Sequence, residues 1–384
     1  MRTLVVSDLH LGSTRDADLL RRPDLRAPLL EALEGVDRLV ILGDGLELRE
    51  APHRDAAEIA GPIFADLGRA LGPDGELLIV GGNHDHGLVA GWIDGRLQTE
   101  PPGFLGLEQR IEPEAAGPLA ARLAKCAAPA RVSVAYPGVW LRDDVYAIHG
   151  HYSDLHTTVP TFERLAAGAM ARWVVHLPAD EATADAYEAA LAPLYAWMHS
   201  LVQRSENGAM TGGAGASARA FVALAGEGRR RHPVRAAALG AGYAAAVGAL
   251  NLAGLGPIDR DLSGQALRRG GLGGMREALR RLGVRAPWVL WGHSHRAGPW
   301  PRDDRSEWTT AAGTRMVNAG SWVYQPHFLT DQPNASPYWP GTAIVVDPDP
   351  AVAPELVRLL GERGHAELRP SGPSRDVPPE IGGR

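Results

Sequence analysis

Short apolar runs recur along the chain, and most of them end in a corner rich in polar, glycine or histidine residues. Runs of this length with many β-branched residues predict buried strands. The candidate strands are Leu4–Val6, Arg38–Leu42, Glu76–Val80, Val145–Ile148, Trp288–Trp291, Arg315–Val317 and Thr342–Val346. Helical patterns at Ala27–Leu33 and Ala56–Leu71 lie between the early strands. This alternation predicts a strand-rich α/β core whose polar residues collect at strand ends, where such sheets hold their ligands.

The middle of the chain, residues 152–287, predicts helices and no strand. Apolar residues recur at helical spacing over 160–177 and again over 184–204, so each segment is expected to form an amphipathic helix. We expect the two helices to pair as an antiparallel hairpin, with Trp173 and Trp197 in the core.

Core strands resume after this helical region, so it is predicted to be an insertion and not a following domain. The predicted organisation is a core made of residues 1–151 and 287–365, with a helical cap at 152–286. A glycine-rich loop is expected at 208–215, and the tail at 366–384 is expected to be disordered because Pro, Gly, Ser and charged residues dominate it.

One stretch of the insertion, residues 236–256, has no charged residue. Alanine and glycine make up most of it, so its transfer into lipid is weakly favourable, and a buried helix is predicted in preference to a membrane span. Peripheral contact of the cap with the inner face of a membrane stays open as an alternative.

The composition limits which ligands and which kinds of metal site the protein can have. The formal net charge of −6, from 45 acidic against 39 basic residues, argues against a basic nucleic-acid groove. The single cysteine, Cys126, cannot form an internal disulfide or a thiolate metal cluster, so nitrogen and oxygen atoms must hold any metal. The first strand pattern begins at Thr3 with no apolar signal segment before it, so a cytoplasmic protein is expected.

Five polar corners carry the candidate ligands. They contain Asp8 and His10, then Asp44, then Asn83, then His149, and finally His293 and His295. If the strands are neighbours, seven oxygen and imidazole ligands converge at one place. Leaving such groups buried without partners would cost about 1–3 kcal/mol each, so a bound cation is the simplest explanation.

These five motifs, in this order, resemble those of the calcineurin-like metallophosphoesterase superfamily. The resemblance implies an α/β/β/α sandwich carrying a large helical insertion. It also implies two divalent metal ions. One would be held by Asp8, His10 and His295, and the other by Asn83, His149 and His293, with Asp44 bridging the pair. Mixed histidine and carboxylate ligation suits Mn²⁺, Fe²⁺/Fe³⁺ or Zn²⁺ better than Mg²⁺, with manganese among the expected ions.

The same resemblance implies the chemistry of a phosphoester hydrolase. A hydroxide that bridges the metals would attack phosphorus, and the metals would offset the charge on the phosphoryl oxygens. His84 is similar to the family's proton donor to the leaving group, and Asp85 is the candidate to orient its ring. Glu47 has two open interpretations, a support for the site or a helix cap.

Several other polar residues are expected to have structural roles. They are His86, His151, His156, His176, His199 and the Asn318–Ser321 block.

The position of the insertion is similar to the lid of bacterial UDP-2,3-diacylglucosamine pyrophosphatases, although the insertion is longer here and His84 stands where those enzymes have arginine. The expected substrate is a phosphorylated small molecule or a lipid-linked phosphate. Two alternatives stay open. A nuclease would use the arginines at 229–231 and 268–269 but is disfavoured by net charge. A non-catalytic scaffold is disfavoured because no ligand position is missing.

Overall fold

The computed structural model describes residues 1–13, 16–50, 53–159, 161–175, 177–178, 180–204, 233–261 and 263–370 of the 384-residue chain. Several sequence-based expectations fall outside these residues: the loop at 208–215, the arginines at 229–231, His176, the side chain of His199 and the tail from residue 371 onward.

A mixed sheet forms the centre of the described structure. Its strands are β1 (Thr3–Val6), β2 (Arg38–Leu42), β3 (Glu76–Val80), β4 (Glu108–Ile111), β5 (Arg131–Arg142), β6 (Val145–Ile148), β7 (Trp288–Trp291), β8 (Arg315–Asn318), β9 (Thr342–Val346) and β10 (Glu355–Arg358). The strand order is β10-β9-β1-β2-β3-β5-β6-β7-β8, and β4 pairs with β5. All seven predicted strands are present in the sheet, with bounds that differ by at most one residue.

The three strands that the sequence pattern missed have identifiable reasons. β4 and β10 are short and rich in charged residues, so they lack an apolar run. β5 contains Pro137 and Gly138, which normally argue against a central strand. Both residues lie where its pairing changes, because the first half of β5 pairs in parallel with β3 and the second half pairs antiparallel with β6.

The parallel pairing brings the polar corners together. β1, β2 and β3 are parallel neighbours, and β6, β7 and β8 form a second parallel set. In a flat sheet the two sets of carboxyl ends would lie at opposite edges, since β6 runs antiparallel to β5. Here they meet: His293 N donates to Asp8 Oδ2 at 2.9 Å, and Trp322 N donates to the Asp8 carbonyl at 3.0 Å. The sheet therefore turns back on itself around β5.

Two apolar clusters cover the faces of the sheet. Alternate strand residues such as Val6, Ile41 and Ile79 belong to a cluster that also contains helical residues. Their chain neighbours belong to a second cluster, which consists of strand residues and Ala319 alone; it includes Val5, Val40, Leu78, Ala147, Leu290 and Ile344. This alternation is the period of two that places successive strand side chains on opposite faces.

Helices surround the sheet. They are α1 (Pro23–Ala32), α2 (His53–Leu71), α3 (Ala90–Leu97), α4 (Pro113–Ala116), α5 (Pro118–Cys126), α6 (Phe162–Trp173), α7 (Ala184–Arg204), α8 (Pro233–Leu252), α9 (Gly264–Arg281) and α10 (His365–Leu368). Short 3-10 helices lie at Leu19–Arg21, His86–Leu88, His151–Leu155, Arg305–Trp308 and Pro326–Phe328. A disordered tail was expected from residue 366 onward. Residues 366–368 instead belong to α10, and Leu368 is buried.

The helices of the middle region lie close to their predicted positions in the chain, but the burial of their aromatic residues differs from the prediction. α7 has the predicted bounds, and α6 is shorter than predicted, with Thr161 Oγ1 capping it by accepting from Arg164 N. α6 and α7 contact each other. The expectation that Trp173 and Trp197 are core residues is wrong, because their exposed fractions are 64% and 53%.

Helix α9 lies in the region predicted to be helical, but its individual bounds were not predicted. Its sequence contains paired glycines, which have low helix propensity. A Cβ atom at Gly274 would lie only 2.9 Å from the Ser153 carbonyl oxygen, so glycine there lets α9 approach the 3-10 helix at His151–Leu155 closely. No helix within the described residues, α8 included, is long and apolar enough to cross a membrane. The prediction that α8 is a buried helix is wrong for most of its described side chains, because Ala245 is exposed and Leu252 is 92% exposed.

Candidate metal centre

Three groups of acidic and histidine side chains meet where the strand ends come together. The ligand atoms of each group lie within 4.8 Å of one another; the groups are Asp8, His10 and His295, then His10, Asp44 and His84, then Asp44, His149 and His293. Asn83 adjoins the third group, with Oδ1 3.1 Å from His149 Nε2. The structure thus brings together all seven residues that the sequence suggested as ligands, with Asp44 between the two sets.

The backbone is strained at most of these positions. Among the described non-glycine residues, seven have positive φ, and five of the seven are candidate ligands: Asp8 (55°), His10 (46°), Asp44 (50°), His293 (64°) and His295 (56°). Left-handed backbone costs an L-residue about 1–2 kcal/mol. Strain of this kind persists where surrounding structure enforces it, and it concentrates at functional sites.

Two glycines make the close approach of the ligands feasible. A Cβ atom at Gly43, before Asp44, would lie 2.3 Å from the His149 ring. A Cβ atom at Gly292, before His293, would lie 1.9 Å from Ser7 Oγ. Neither site can hold a larger residue without moving a candidate ligand or the residue beside it.

Each candidate histidine ligand has one ring nitrogen fixed by an acceptor outside the cluster. The pairs are His10 Nδ1 with Glu47 Oε2 (2.9 Å), His149 Nδ1 with the Leu42 carbonyl (2.9 Å), His293 Nε2 with Asp154 Oδ1 (2.9 Å) and His295 Nδ1 with Gln325 Oε1 (3.3 Å). An acceptor at one nitrogen fixes the tautomer, and the other nitrogen then presents a lone pair. All four rings turn that nitrogen toward the cluster.

The first set of ligands places potential acceptor atoms opposite one another. His10 Nε2 and His295 Nε2 lie 3.1 Å apart, although both are acceptors once their Nδ1 atoms donate outward. Asp8 Oδ1 is buried and has no hydrogen-bond partner among the described residues, and it lies 3.2 Å from His295 Nε2. Asp8 Oδ2, in contrast, accepts from Ser7 Oγ. Three acceptors that face one another in this way fit a cation between them.

The second set shows the same pattern around Asn83. The amide atom that faces the cluster lies 3.1 Å from His149 Nε2 and 3.2 Å from both His293 Nδ1 and Asp44 Oδ2. In the structure this atom is the oxygen, so four acceptors converge. The opposite amide orientation would place the nitrogen among those acceptors and the oxygen on Arg49. The oxygen-inward orientation therefore fits a cation, and the nitrogen-inward orientation fits its absence.

The surroundings keep the acids of the cluster ionised. Burial by itself raises the pKa of Asp44, but the nearby His149 and His84 more than offset this and hold it well below the usual range. Burial likewise lowers the pKa of His10, yet the hydrogen bond and charge of Glu47 raise it to about 9. Ionised carboxylates are the form that binds a metal.

His84 is held by Glu47 and not by Asp85. His84 Nδ1 lies 2.8 Å from Glu47 Oε2, and the same carboxylate contacts His10. The prediction that Asp85 orients the His84 ring is wrong. The Asp85 carboxylate is buried and accepts from the backbone N–H groups of Gly45 at 2.7 Å and Gly82 at 2.6 Å. Asp85 thus ties together the loops that follow β2 and β3. Burial, followed by the charge of Asp44, raises the pKa of Asp85 to about 6.

Other polar residues of the predicted motifs support the site from outside. Asn318 Nδ2 donates to the Gly292 carbonyl at 2.7 Å, which fixes the loop that carries His293 and His295. His86 and His151 are both buried; His86 Nε2 contacts Glu188 at 3.0 Å, and His151 Nε2 contacts the Tyr136 hydroxyl at 3.2 Å.

The sequence analysis missed Arg49. Its guanidinium is 8% exposed and lies beside the Asn83 amide, with NH1 3.2 Å from the outward-facing amide atom. Nε has no hydrogen-bond partner in the described structure. Two helices of the middle region also contact it, since Glu163 on α6 lies 3.6 Å away and the Tyr195 ring on α7 lies 5.2 Å away. The only signal in the sequence was its position two residues after Glu47.

No protein-family model and no curated protein matches this sequence. Among solved structures, the chain is similar to a dimetal phosphatase from Danio rerio, at 11% identity and a TM-score of 0.32, covering 94% of this chain and 99% of that one. A similarity of that size carries no argument about function. It also gives no support to the finer resemblance to UDP-2,3-diacylglucosamine pyrophosphatases, which stays a prediction. What the structure shows is a mixed α/β fold with clusters of Asp and His that could hold metal ions.

Proposed function

We propose that the protein is a two-metal-dependent hydrolase of phosphoester bonds, acting on a phosphomonoester, a phosphodiester or a diphosphate. One observation carries the proposal: two sets of potential ligand atoms, joined by Asp44, face one another at distances that metal ions between them would satisfy. The strained backbone at Asp8, His10 and Asp44 supports it, because strain of this kind marks functional positions.

The residues present fit the metals. Asp8, His10 and His295 would hold one ion, Asn83, His149 and His293 the other, and Asp44 would contribute to both. When bound, two divalent cations lower the pKa of a coordinated water and offset negative charge on phosphoryl oxygens. A donor set of nitrogen and oxygen atoms suits manganese, iron or zinc.

His84 is proposed as the proton donor to the leaving oxygen. Glu47 occupies Nδ1, so the ring has a fixed orientation and Nε2 is the nitrogen that can donate. The His84 side chain is partly exposed beside the ligands, whereas His10 and His149 are buried. A group that protonates a leaving oxygen must reach it in this way.

Arg49 is proposed to bind the phosphate. A buried guanidinium next to a phosphoryl site supplies charge-assisted hydrogen bonds, and its unpartnered Nε is a donor that a phosphate oxygen would satisfy. The ring of Tyr195 lies against the guanidinium and helps to keep it in place.

The α/β/β/α layer order and the helical cap belong to the same proposal. The second apolar cluster contains strand residues and Ala319 but no helical residue, which supports two sheet layers in direct contact. Contacts of Glu163 and Tyr195 with Arg49 support a cap, because they bring α6 and α7 to the site.

The nuclease alternative loses one of its two basic clusters. Arg268 NH2 lies 2.6 Å from Glu307 Oε2, and Arg269 Nε lies 2.9 Å from Glu307 Oε1. Because one carboxylate partly neutralises both, this pair offers little free positive charge for a nucleic-acid backbone.

Metal analysis followed by a phosphoester assay tests the proposal. The purified protein should contain close to two equivalents of divalent metal and hydrolyse 4-nitrophenyl phosphate or bis-4-nitrophenyl phosphate. Chelation should abolish hydrolysis. Asp44→Asn should reduce both metal content and rate, whereas Asp74→Asn, the same change at an exposed aspartate in the loop before β3, should change neither. Protein that binds no metal in an excess of Mn²⁺, Zn²⁺ or Fe²⁺ would refute the proposal.

A further inference from the structure

A groove of about 700 Å³ opens directly from the candidate metal centre. Arg49, Asn83 and His84 line its inner end. From there it runs between α3 and the segment 102–104 on one side and α7 on the other. A volume of this size is typical of a site for a small organic ligand.

Each wall of the groove carries a row of apolar residues. On α3 the apolar lining residues are Ala90, Ile93 and Leu97, and on α7 the small apolar ones are Ala189, Ala192, Pro193 and Ala196, each set spaced so that it lies along one helix face. Because these four α7 residues are small, they leave space between the helices open.

The outer part of the groove exposes large apolar side chains. Phe104 is 66% exposed and Leu97 is 54% exposed, and both line the groove. Exposed apolar side chains at the mouth of a cavity favour an apolar ligand there over a polar one.

Two pairs hold charged groups of the walls, and at the inner end Arg49 has Glu163 at 3.6 Å but keeps an Nε donor with no hydrogen-bond partner among the described residues. Arg96 NH1 lies 2.6 Å from Asp185 Oδ1, and Glu188 contacts His86 at 3.0 Å. Arg49, with its unpartnered Nε, is nine-tenths buried and lines the inner end. The groove thus has a cationic end at the metal centre and an apolar body leading away from it.

We propose that this groove binds an alkyl or acyl group of the substrate, so that the phosphoester hydrolysed is that of an amphiphile. This inference rests on the proposed function, since the phosphate of the same molecule would lie at the metal centre. An alkyl or acyl group is the inferred occupant because a single cavity joins the residues proposed to bind phosphate to the apolar rows of the walls.

Binding of an alkylphosphonate series tests this without turnover. Methyl-, butyl- and octylphosphonate are titrated calorimetrically into the full-length protein supplemented with Mn²⁺. Each added methylene that enters the groove should tighten binding about three- to fourfold. The octyl compound has four more methylenes than the butyl compound, so it should bind about 80- to 250-fold tighter if all four enter the groove.

A pair of matched variants locates the effect. Ala189→Trp fills the groove and should remove most of the difference between the octyl and methyl compounds. Ala245→Trp makes the same change at an exposed alanine of α8 outside the groove and should leave that difference intact. The thermal midpoint of both variants is measured to establish that they are folded.

The outcomes separate the two proposals. If 4-nitrophenyl phosphate is hydrolysed but the Kd values do not depend on chain length, the apolar-group inference is wrong and the proposed function stands. The same holds if Ala189→Trp and Ala245→Trp behave alike. If phosphonate binding and hydrolysis are both independent of metal, the proposed function fails, and this inference fails with it.

Discussion

His10 and His295 lie 285 residues apart in the chain, yet their Nε2 atoms face each other at 3.1 Å. The Nδ1 atom of His10 contacts Glu47, and that of His295 contacts Gln325, so the two Nε2 atoms oppose each other next to Asp8 Oδ1. Because the pKa of His10 is raised to about 9, a proton on Nε2 occupies this contact in the metal-free protein at neutral pH, and a bound metal ion would replace that proton.

Metal addition should therefore stabilise the fold. At a free metal concentration one hundred times Kd, one bound ion contributes about 2.7 kcal/mol. The thermal midpoint should rise by several degrees when Mn²⁺ or Zn²⁺ is added to chelated protein, and scanning calorimetry measures the change. His295→Ala should reduce the rise, and His327→Ala, at an exposed histidine, should not. Equal midpoints with and without metal would contradict the assignment of this cluster.

His84→Ala should lower turnover while metal content stays close to that of the unmodified protein. Loss of a general acid typically costs about 10²–10⁴-fold in rate. The loss should be largest for alkyl phosphates, whose leaving oxygen is basic, and small for 4-nitrophenyl phosphate, whose leaving group needs no proton. Rates for a series of leaving groups, plotted against leaving-group pKa, measure this directly. A uniform loss across the series would remove His84 from that role.

Glu47 and Asp85 should behave differently when each is changed to its amide. Glu47 contacts both His84 and His10, so Glu47→Gln should lower kcat and weaken metal binding by about 10–100-fold, the usual effect of losing a residue that orients a ligand. Asp85 accepts backbone N–H groups of two loops, so Asp85→Asn should mainly lower the free energy of unfolding, by about 1–3 kcal/mol.

Urea denaturation and steady-state kinetics on the two variants separate these effects. If Asp85→Asn were as stable as the parent protein but had lost the leaving-group dependence, the original assignment of Asp85 to His84 would be restored.

The comparison of Glu47 with Asp85 shows where sequence reasoning succeeds and where it stops. The seven candidate ligands were identifiable because each closely follows a buried apolar strand, and each of the two parallel sets places its own carboxyl ends together. That the two sets meet depends on the turn of the sheet at β5, which the sequence pattern did not predict. Which carboxylate contacts His84 depends on the path of the loop after β2. Loop paths are set by hydrogen bonds such as that of His10 N to the Asp44 carbonyl, and no local pattern encodes them.

β5 and Arg49 illustrate the same limit. β5 was missed because Pro137 and Gly138 break a local strand pattern, although they are tolerated where the strand changes partners. Arg49 resembles any surface arginine in the sequence. Its burial follows from α6 and α7, which lie more than one hundred residues further along the chain.

Arg49→Ala should raise KM for every phosphoester substrate. A charge-assisted hydrogen bond contributes about 1.5–3 kcal/mol, which corresponds to about a 10- to 150-fold loss in kcat/KM. Arg49→Lys should recover part of the loss, because lysine keeps the charge but not the forked geometry. Arg302→Ala, at an exposed arginine, is the matched control. An unchanged KM in Arg49→Ala would show that this guanidinium does not contact the phosphate.

The contact between α7 and the core should weaken in acid, because it depends on the Glu188 carboxylate. Its carboxylate is buried and accepts from the hydroxyls of Tyr136 at 2.5 Å and Tyr152 at 2.6 Å, and it contacts His86 at 3.0 Å. Burial alone raises the pKa of Glu188, but the hydrogen bond and charge of His86 bring it below the ordinary value of 4.5. A folded-state pKa below the unfolded one means that the ionised form stabilises the native state above the unfolded pKa.

That stabilisation should be lost as the pH falls from about 4.5 through the folded-state pKa, because the carboxylate must then be protonated. Glu188→Gln should lower the free energy of unfolding at pH 7 by about 1–3 kcal/mol and should flatten its decline in acid. Glu362→Gln, at an exposed glutamate, should leave the acid limb as it is. Urea unfolding of the metal-free protein between pH 3 and pH 7 measures both slopes. If the two variants gave parallel curves, the link between α7 and the core would not depend on the charge of Glu188.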